Sequence, residues 1–260
     1  MELTKLLLML ENDIHVYTGG ENLFGIEDEP SDSRRIELDD INFLTCYFSN
    51  GFNPSALDEK ARDLFELSIN AFDAIVHAWM SELQIEAEII SYGRRVIAAA
   101  ENIGGAEERR LAAERAACDR TCADTLTVMN TAYKVQHEAH RMMGLLRFSP
   151  DEQGCYTARC APDHFILPAL GEYFTSRFGE TEWAIIDEKR GMSLSRENGK
   201  QAKIIVRHEP SAVGGDEWEN LWRHYHKTIN NESRNNPGLQ RQFMPKRYWK
   251  YLPEAPNYAE

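Results

Sequence analysis

The feature that most constrains the fold is a change of hydrophobic periodicity near Gly144. Between about residues 56 and 143, apolar residues recur at spacings of three and four, as at Leu64, Leu67 and Ala71, which is typical of amphipathic helices. After Gly144, short stretches alternate apolar and polar residues, as strands do. Helices followed by strands with flanking helices predict an α+β fold, in which a helical N-terminal half packs with a small antiparallel sheet and flanking helices.

The predicted elements divide the chain into a mainly helical part, 1–130, and an α+β part, 131–260, which we expect to share one core. In the first part, we predict a loop over about 17–35 and helices over 3–11, 56–83, 85–100 and 106 to about 143, the last with a break. In the second part, we predict strands over 145–148, 155–160, 182–187, 191–194 and 203–207, and helices over 164–178 and 216–231.

Composition indicates an ordinary soluble protein. The 260 residues are 42% apolar and 27% charged, and no apolar run approaches the roughly 18 residues that a membrane span needs. Five cysteines, an odd number, argue against a disulfide framework and favour a reducing cytoplasm. The apolar start, Leu6–Leu10, lacks a small-residue cleavage site, so it predicts an amphipathic helix and not a signal peptide.

Charge is distributed unevenly along the chain. The net charge of −13 argues at first against a nucleic-acid partner, but residues 1–130 hold 25 acids and 11 bases, whereas residues 131–260 hold 17 acids and 18 bases. Within 221–251, seven lysines and arginines face the single acid Glu232. A basic face on an acidic protein is a usable footprint for nucleic acid, and we expect the acidic first half to stay away from DNA.

The stretch 235–254 alternates cations with aromatic residues. Its cations are Arg241, Lys246, Arg247 and Lys250, and its rings are Phe243, Tyr248, Trp249 and Tyr251. Phosphates bind cations and unpaired bases stack on rings, so the mixture suits a nucleic acid. Three prolines divide the stretch into short pieces, which excludes one long helix. The alternative is a segment docked on the core, with buried rings and solvated cations.

A second cluster of candidate residues lies around the end of the long helix. Glu138, His140, Asp163 and His164 could form an acid–base or metal site if the turn after Pro162 folds back onto that helix. The alternative is structural, because an aspartate directly before a helical segment is a common N-cap. We favour ordering of the fold by these polar residues over catalysis.

The cysteines and glycines of the sequence match no recognised metal-binding or nucleotide-binding motif. Cys118 and Cys122 lack the third cysteine of the radical-SAM cluster motif, so we expect that this chain is not itself a radical-SAM enzyme. Cys155 and Cys160 with His164 do not have a recognised zinc spacing. The sequence contains no P-loop and no dinucleotide-binding turn. We therefore expect neither a metal nor a cofactor.

Several motifs resemble those of one bacterial family. They are Asn-Pro-x-Leu-Gln-Arg-Gln-Phe-Met-Pro-x-Arg-Tyr-Trp-Lys at 236–250, Glu-Ala-His-Arg-x-x-Gly-x-x-Arg-Phe at 138–148, Pro-Asp-His-x-Ile-Leu at 162–167 and Trp-x-Ile-x-Asp-x-x-Arg-Gly at 183–191. The chain is similar to domains of unknown function described as DNA metabolism or DNA repair proteins. Members are encoded beside a radical-SAM DNA-repair protein, and some are fused to a uracil-DNA glycosylase-like domain. The resemblance is close over about 131–254 and loose over 1–130.

The resemblance and the residue patterns together leave three hypotheses. The first is a cytoplasmic accessory protein of DNA repair that binds DNA and acts with a radical-SAM enzyme, without contact to a membrane. The second is an enzyme that acts on an extruded base. Tyr248 or Trp249 would stack on the base, and the four polar residues Glu138, His140, Asp163 and His164 would transfer protons. The third is a protein-interaction module. The residues predicted to bind nucleic acid are Arg147, Arg190, Arg241, Lys246, Arg247, Tyr248, Trp249 and Lys250.

Overall fold

A computed structural model of the protein describes residues 2–10, 36–151, 154–206, 216–231 and 236–255. The chain forms two compact units: the first comprises Met1–Tyr47 and Gly51–His137, and the second Phe48–Asn50 and Glu138–Glu260. The division falls inside the long helix α7 (Ala123–Leu145), a few residues beyond the predicted boundary at 130.

The first unit is helical throughout its described residues. Its elements are α1 (Leu3–Leu8), α2 (Leu38–Tyr47), a 3-10 turn (Pro54–Ala56), α3 (Glu59–Leu67), α4 (Ile69–Met80), α5 (Glu86–Ala99), α6 (Ala106–Ala117) and the first part of α7. Helix α4 buries nearly every residue, including Phe72, Ile75 and Trp79, as expected for a helix that is apolar on all sides. The helices predicted over 3–11, 85–100 and 106 to about 143 are confirmed in outline, the last with its break between α6 and α7.

The single helix predicted over 56–83 is wrong, because Ser68 divides it into α3 and α4. Ser68 has an extended backbone, and its hydroxyl oxygen accepts a hydrogen bond from the Ala71 N–H at 3.0 Å. The same hydroxyl donates to Glu114 on α6, at 2.7 Å. A serine that caps one helix and bonds to another is well placed to stop the preceding helix.

In its described residues, the second unit contains a five-stranded sheet with the strands in chain order. The strands are β1 (Ser149–Pro150), β2 (Tyr156–Cys160), β3 (Trp183–Asp187), β4 (Met192–Arg196) and β5 (Lys203–Val206). The α+β class is confirmed, but the sheet is mixed. Strands β2 and β3 run parallel because helix α8 (Leu167–Phe178) connects them, whereas the other pairs are antiparallel.

Two local predictions in this unit are wrong. The strand predicted over 145–148 does not form, because α7 continues to Leu145 and the first strand lies at Ser149–Pro150 instead. The N-cap predicted at Asp163 is not made either. Helix α8 begins at Leu167, where Pro168 supplies a fixed φ angle suited to the first turn. The predicted loop at 17–35 and the predicted strand end at Arg207 lie outside the described residues.

The C-terminal region folds as short helical pieces. Its elements are α9 (Asp216–Ile229), α10 (Pro237–Phe243) and a 3-10 helix (Lys246–Tyr251). Prolines separate them as predicted, with Pro245 directly before the 3-10 helix. In the described residues, short helices and not an extended tail follow α9. Tyr248 and Leu252 are buried, so the last piece packs into the second unit.

None of the helices described by the structure has the length and apolar character to cross a membrane. All five cysteines are free thiols, and Cys160 is buried in β2. Burial is the main cause that raises the pKa of the Cys160 thiol well above its usual value, so this thiol stays protonated.

The Ser68 cap gives a test of the division between α3 and α4. We expect Ser68→Ala to lower the free energy of unfolding by about 1–2 kcal/mol, because the α4 cap and the bond to Glu114 are lost together. Denaturant titration measures this. The control is Ser176→Ala at an exposed position of α8, where we expect a change within about 0.5 kcal/mol. Equal effects of the two substitutions would contradict the capping role.

Candidate functional site

The centre of the candidate site is the buried carboxylate of Glu138, near the end of α7. Glu138 is 3% exposed. Its oxygens accept hydrogen bonds from the backbone N–H groups of Asp163 and His164, both at 2.9 Å, and from the Tyr248 hydroxyl. A buried charge is costly unless hydrogen bonds compensate it. Glu138 therefore holds together α7, the turn before α8 and the C-terminal 3-10 helix.

Arg247 completes this cluster at the surface. Its side chain is 47% exposed, and its Nη2 lies 2.8 Å from Asp163 Oδ2 and 3.5 Å from Glu138 Oε1. The same nitrogen donates to the Tyr248 hydroxyl oxygen at 2.9 Å, and the guanidinium lies 4.7 Å from the Tyr248 ring centre. Burial, and then the hydrogen bond to Glu138, raise the pKa of Tyr248 far above its usual value. Tyr248 therefore remains a hydroxyl donor.

A buried ion pair fixes the 162–164 turn from the sheet side. Arg190 Nη1 lies 2.7 Å from Asp187 Oδ2 at the end of β3, and both side chains are almost completely buried. Arg190 also donates to the carbonyl oxygens of Pro162, at 3.2 Å, and Asp163, at 2.9 Å. Burial raises the pKa of Asp187, and the Arg190 guanidinium opposes that rise. Lys189 Nζ reaches the same Asp163 carbonyl at 2.7 Å from the exposed side.

The 3-10 helix sorts its side chains into rows, because residues i and i+3 eclipse each other in this geometry. The inward row is Tyr248 and Tyr251, and the Tyr251 hydroxyl donates to Glu188 Oε2 at 2.6 Å. The outward row is Arg247 and Lys250, both exposed. The third row places the Lys246 ammonium 5.9 Å from the Trp249 ring centre. The alternating sequence thus gives one face of tyrosines and one of cations.

The structure places seven of the eight predicted nucleic-acid-binding side chains, and their environments differ. Lys246, Arg247 and Lys250 are exposed, and Trp249 is half-buried with its indole N–H donating to Met244 O at 2.7 Å. Tyr248 is 1% exposed and offers no open face to a base. The Arg190 side chain is 6% exposed and occupied by its ion pair, and Arg147 lies in a separate ion pair described below. The Arg241 side chain lies outside the described residues.

The four predicted acid–base residues do not form one cluster. Glu138 and the Asp163 carboxylate meet through Arg247, but His164 contributes its backbone N–H to Glu138. His140 is exposed, and its position two residues after Glu138 sets it about 200° around the helix axis. Among the described residues, no group of three or more His, Cys, Asp or Glu could hold a metal ion. In this arrangement, Glu138 is engaged in hydrogen bonds with the backbone of Asp163 and His164 and with Tyr248.

A second set of contacts joins Arg147, which follows α7, to α9 through Glu254, a residue that the sequence did not single out. Arg147 Nε donates to Glu254 Oε1 at 3.0 Å, and the Trp222 indole N–H donates to Glu254 Oε2 at 2.7 Å. The guanidinium of Arg147 lies 5.1 Å from the Trp222 ring centre. Burial alone would raise the pKa of Glu254, but these donors, Arg147 foremost, hold it below its ordinary value.

This ion pair borders a cavity of about 650 Å³ in the second unit, and α8 and α9 supply much of its lining. The sequence signal for it was the apolar spacing along α9, at Trp218, Leu221, Trp222 and Tyr225. That spacing predicts an amphipathic helix but does not identify the residues opposite it.

The Glu138 cluster predicts unequal effects of two Tyr→Phe substitutions in one helix. Tyr248→Phe removes a donor from a buried carboxylate, so we expect a loss of about 1–3 kcal/mol in the free energy of unfolding. Tyr251→Phe removes the donor of the more exposed Glu188, so we expect less than about 1 kcal/mol. Chemical denaturation of both variants measures the difference. A larger loss for Tyr251→Phe would show that Glu138 is not the central contact.

The Glu254 contacts predict a stability difference that depends on pH. The folded pKa of Glu254 lies below its ordinary value of 4.5, so its stabilising effect is present above pH 4.5 and is lost as the pH falls through the folded pKa. We expect Glu254→Gln to lower the free energy of unfolding by about 1–3 kcal/mol near neutral pH, and by progressively less in acid. Denaturant titrations between pH 3 and 7 test this, with the exposed Glu180→Gln as control. A difference independent of pH would contradict the ionic role.

Comparisons with known proteins give a family but no activity. Residues 108–254 match the family described as DUF4130, a domain of unknown function. No curated protein and no solved structure matches the chain. The matched segment covers more than half of the sequence and includes α7, the whole sheet, the Glu138 cluster and the 3-10 helix. The chain therefore belongs to the DUF4130 family of domains of unknown function.

Proposed function

We propose that the chain is a nucleic-acid-associated accessory protein of DNA repair or DNA metabolism. The observation that carries the proposal is the exposed cationic row of the 3-10 helix, Arg247 and Lys250, beside Lys246. The DNA-repair setting and a radical-SAM enzyme as its partner rest on the motif resemblance. Five free thiols are compatible with a reducing cytoplasm as its location.

The cationic row is part of a larger positive face. Lys189, on the turn after β3, and Arg247 both contact Asp163, one through the carbonyl oxygen and the other through the carboxylate. Lys250 Nζ lies 3.5 Å from Glu188, the residue directly before Lys189. These shared partners bring Lys189, Arg247 and Lys250 to one surface, and Lys246 directly precedes Arg247 in the 3-10 helix. We call these four exposed cations the cationic face. A surface of this kind suits the closely spaced phosphates of a nucleic acid.

Carboxylates on the cationic face reduce its charge but do not block it. Asp163 is half exposed and Glu188 about a third exposed, so their pairs with Arg247 and Lys250 are accessible to water. Exposed ion pairs contribute only about 0–1 kcal/mol each, so a phosphate can replace the carboxylate at little cost. Arginine binds phosphate with two parallel hydrogen bonds, which favours that exchange. We therefore expect modest affinity with a strong dependence on salt.

No observation favours proton transfer by Glu138. Both of its oxygens accept hydrogen bonds from groups of the protein itself, and Tyr248 covers it from the C-terminal side. A general base must reach the proton that it removes from the substrate. Glu138 is therefore assigned a structural role within the proposal, and the contact with nucleic acid is assigned to the cationic face.

The cationic face predicts salt-dependent binding that is independent of base sequence. We expect Lys189→Gln and Lys246→Gln each to weaken binding of any oligonucleotide alike. Each is also expected to reduce the slope of log affinity against log salt by roughly 0.7–0.9, because one phosphate contact is lost. Fluorescence anisotropy at several salt concentrations measures both quantities. The control is Lys134→Gln, an exposed lysine of α7 in the acidic first unit.

Two outcomes would contradict the proposal. Unchanged affinity and slope in both lysine variants would mean that phosphates do not contact this face. A partner protein whose binding depends on the same lysines but hardly on salt would instead indicate an interaction module, because an apolar interface does not release counterions. In either case, Glu138 would still attach the C-terminal 3-10 helix to the end of α7 through Tyr248.

A further inference from the structure

The cavity beside α9 has an unusual lining. Eight of its sixteen lining residues are aromatic, and its volume of about 650 Å³ lies within the usual range for small-molecule sites. All of the lining residues belong to the second unit and to the described residues. The cavity does not include the cationic face, since Lys189 and the residues of the 3-10 helix are not part of its lining.

Large aromatic side chains remain accessible at this cavity. On α9, Trp218 is 47% exposed and Tyr225 is 51% exposed, with Trp222 between them. Positions i, i+4 and i+7 share one face of a helix, so the three rings form a continuous wall. Helix α8 adds Tyr173, which is also exposed. Single exposed apolar residues are common on protein surfaces, but a group of exposed aromatic residues in one place marks a binding surface.

The charges at the cavity favour an anion. Its charged lining residues within the described part of the chain are two arginines, Arg147 and Arg177, and none is acidic. This is notable in a protein with a net charge of −13. Arg147 is neutralised by Glu254 and lies over the Trp222 ring, so it supports the wall. Arg177 is exposed on α8, with Nη1 3.5 Å from the Tyr173 hydroxyl oxygen, which leaves its guanidinium accessible from solvent.

We infer that this cavity binds an unpaired nucleobase of a single strand, with the base stacked on the α9 rings and its phosphate at Arg177. Every base has a π face that stacks on tryptophan or tyrosine, and arginine supplies phosphate binding in the same site. A lipid chain would fit the rings but would leave Arg177 and the tyrosine hydroxyls without suitable partners. The inference rests on the proposed function, to which it adds single strands as the ligand class.

A base that is paired inside a duplex cannot enter such a cavity without leaving its stack. Single strands are therefore expected to bind more tightly than duplexes of the same sequence. The cationic face alone would not discriminate in this way, because it contacts phosphates, which both forms carry. Strand preference thus separates the contribution of the cavity from that of the face.

The experiment measures binding of the full chain to a fluorescently labelled oligothymidylate and to a duplex of equal length. We expect Trp218→Ala and Tyr173→Ala each to weaken single-strand binding roughly 5- to 100-fold, with little change for the duplex and no change in the salt slope. Arg177→Gln is expected to weaken binding and reduce the slope by roughly 0.7. Trp218→Phe, which keeps a ring, is expected to retain most of the affinity. Tyr133→Ala, an exposed tyrosine of the first unit, is the control.

The outcomes distinguish the inference from the proposed function. Unchanged single-strand binding in the folded Trp218→Ala and Tyr173→Ala variants, with weakening in Lys189→Gln and Lys246→Gln, would overturn the cavity inference and leave the cationic face intact. Equal losses for single strand and duplex would also overturn it. Loss of self-association in Trp218→Ala, seen by analytical ultracentrifugation, would show that a second copy of the chain covers this surface. Absence of DNA binding by the unmodified chain would overturn both.

Discussion

The second unit depends on the burial of one carboxylate. Glu138 is removed from water, and its donors come from a turn about 25 residues away and from Tyr248, 110 residues further along the chain. Leaving such a charge without donors costs several kcal/mol, so the turn and the C-terminal segment must both be in place when Glu138 is buried. The cations of the 3-10 helix reach the surface because Tyr248, beside them in sequence, is fixed inside.

The α+β class could be predicted because hydrophobic periodicity depends on neighbouring residues and can be recognised in short stretches of sequence. Prediction failed where a long-range contact decided the outcome. Ser68 interrupts a helical pattern through its cap and through a hydrogen bond to Glu114, 46 residues away. Asp163 has the sequence context of an N-cap, but its carboxylate pairs with Arg247 instead. Such partners cannot be inferred from neighbouring residues.

The candidate site could be predicted only in part, because several of its contacts join residues that are far apart in the sequence. The C-terminal stretch was identified by composition, yet composition does not tell which rings lie inside, so Tyr248 and Trp249 could not be distinguished. The sequence predicted a helix over 216–231, whereas the pairing of its aromatic residues with those of α8 across the cavity arises only in three dimensions. Arg147 was predicted to bind nucleic acid, but its charge is balanced by Glu254, which no spacing rule connects to it.

The geometry of the 3-10 helix limits how the segment Lys246–Tyr251 can vary in length. Because this helix has three residues per turn, side chains three positions apart lie in the same row. Inserting one residue just before Arg247 would move Arg247 and Lys250 into the positions that Tyr248 and Tyr251 now occupy. A change of three residues would preserve the rows. The length of this short segment is therefore as constrained as its chemistry, although substitutions within the outward row are compatible with the fold.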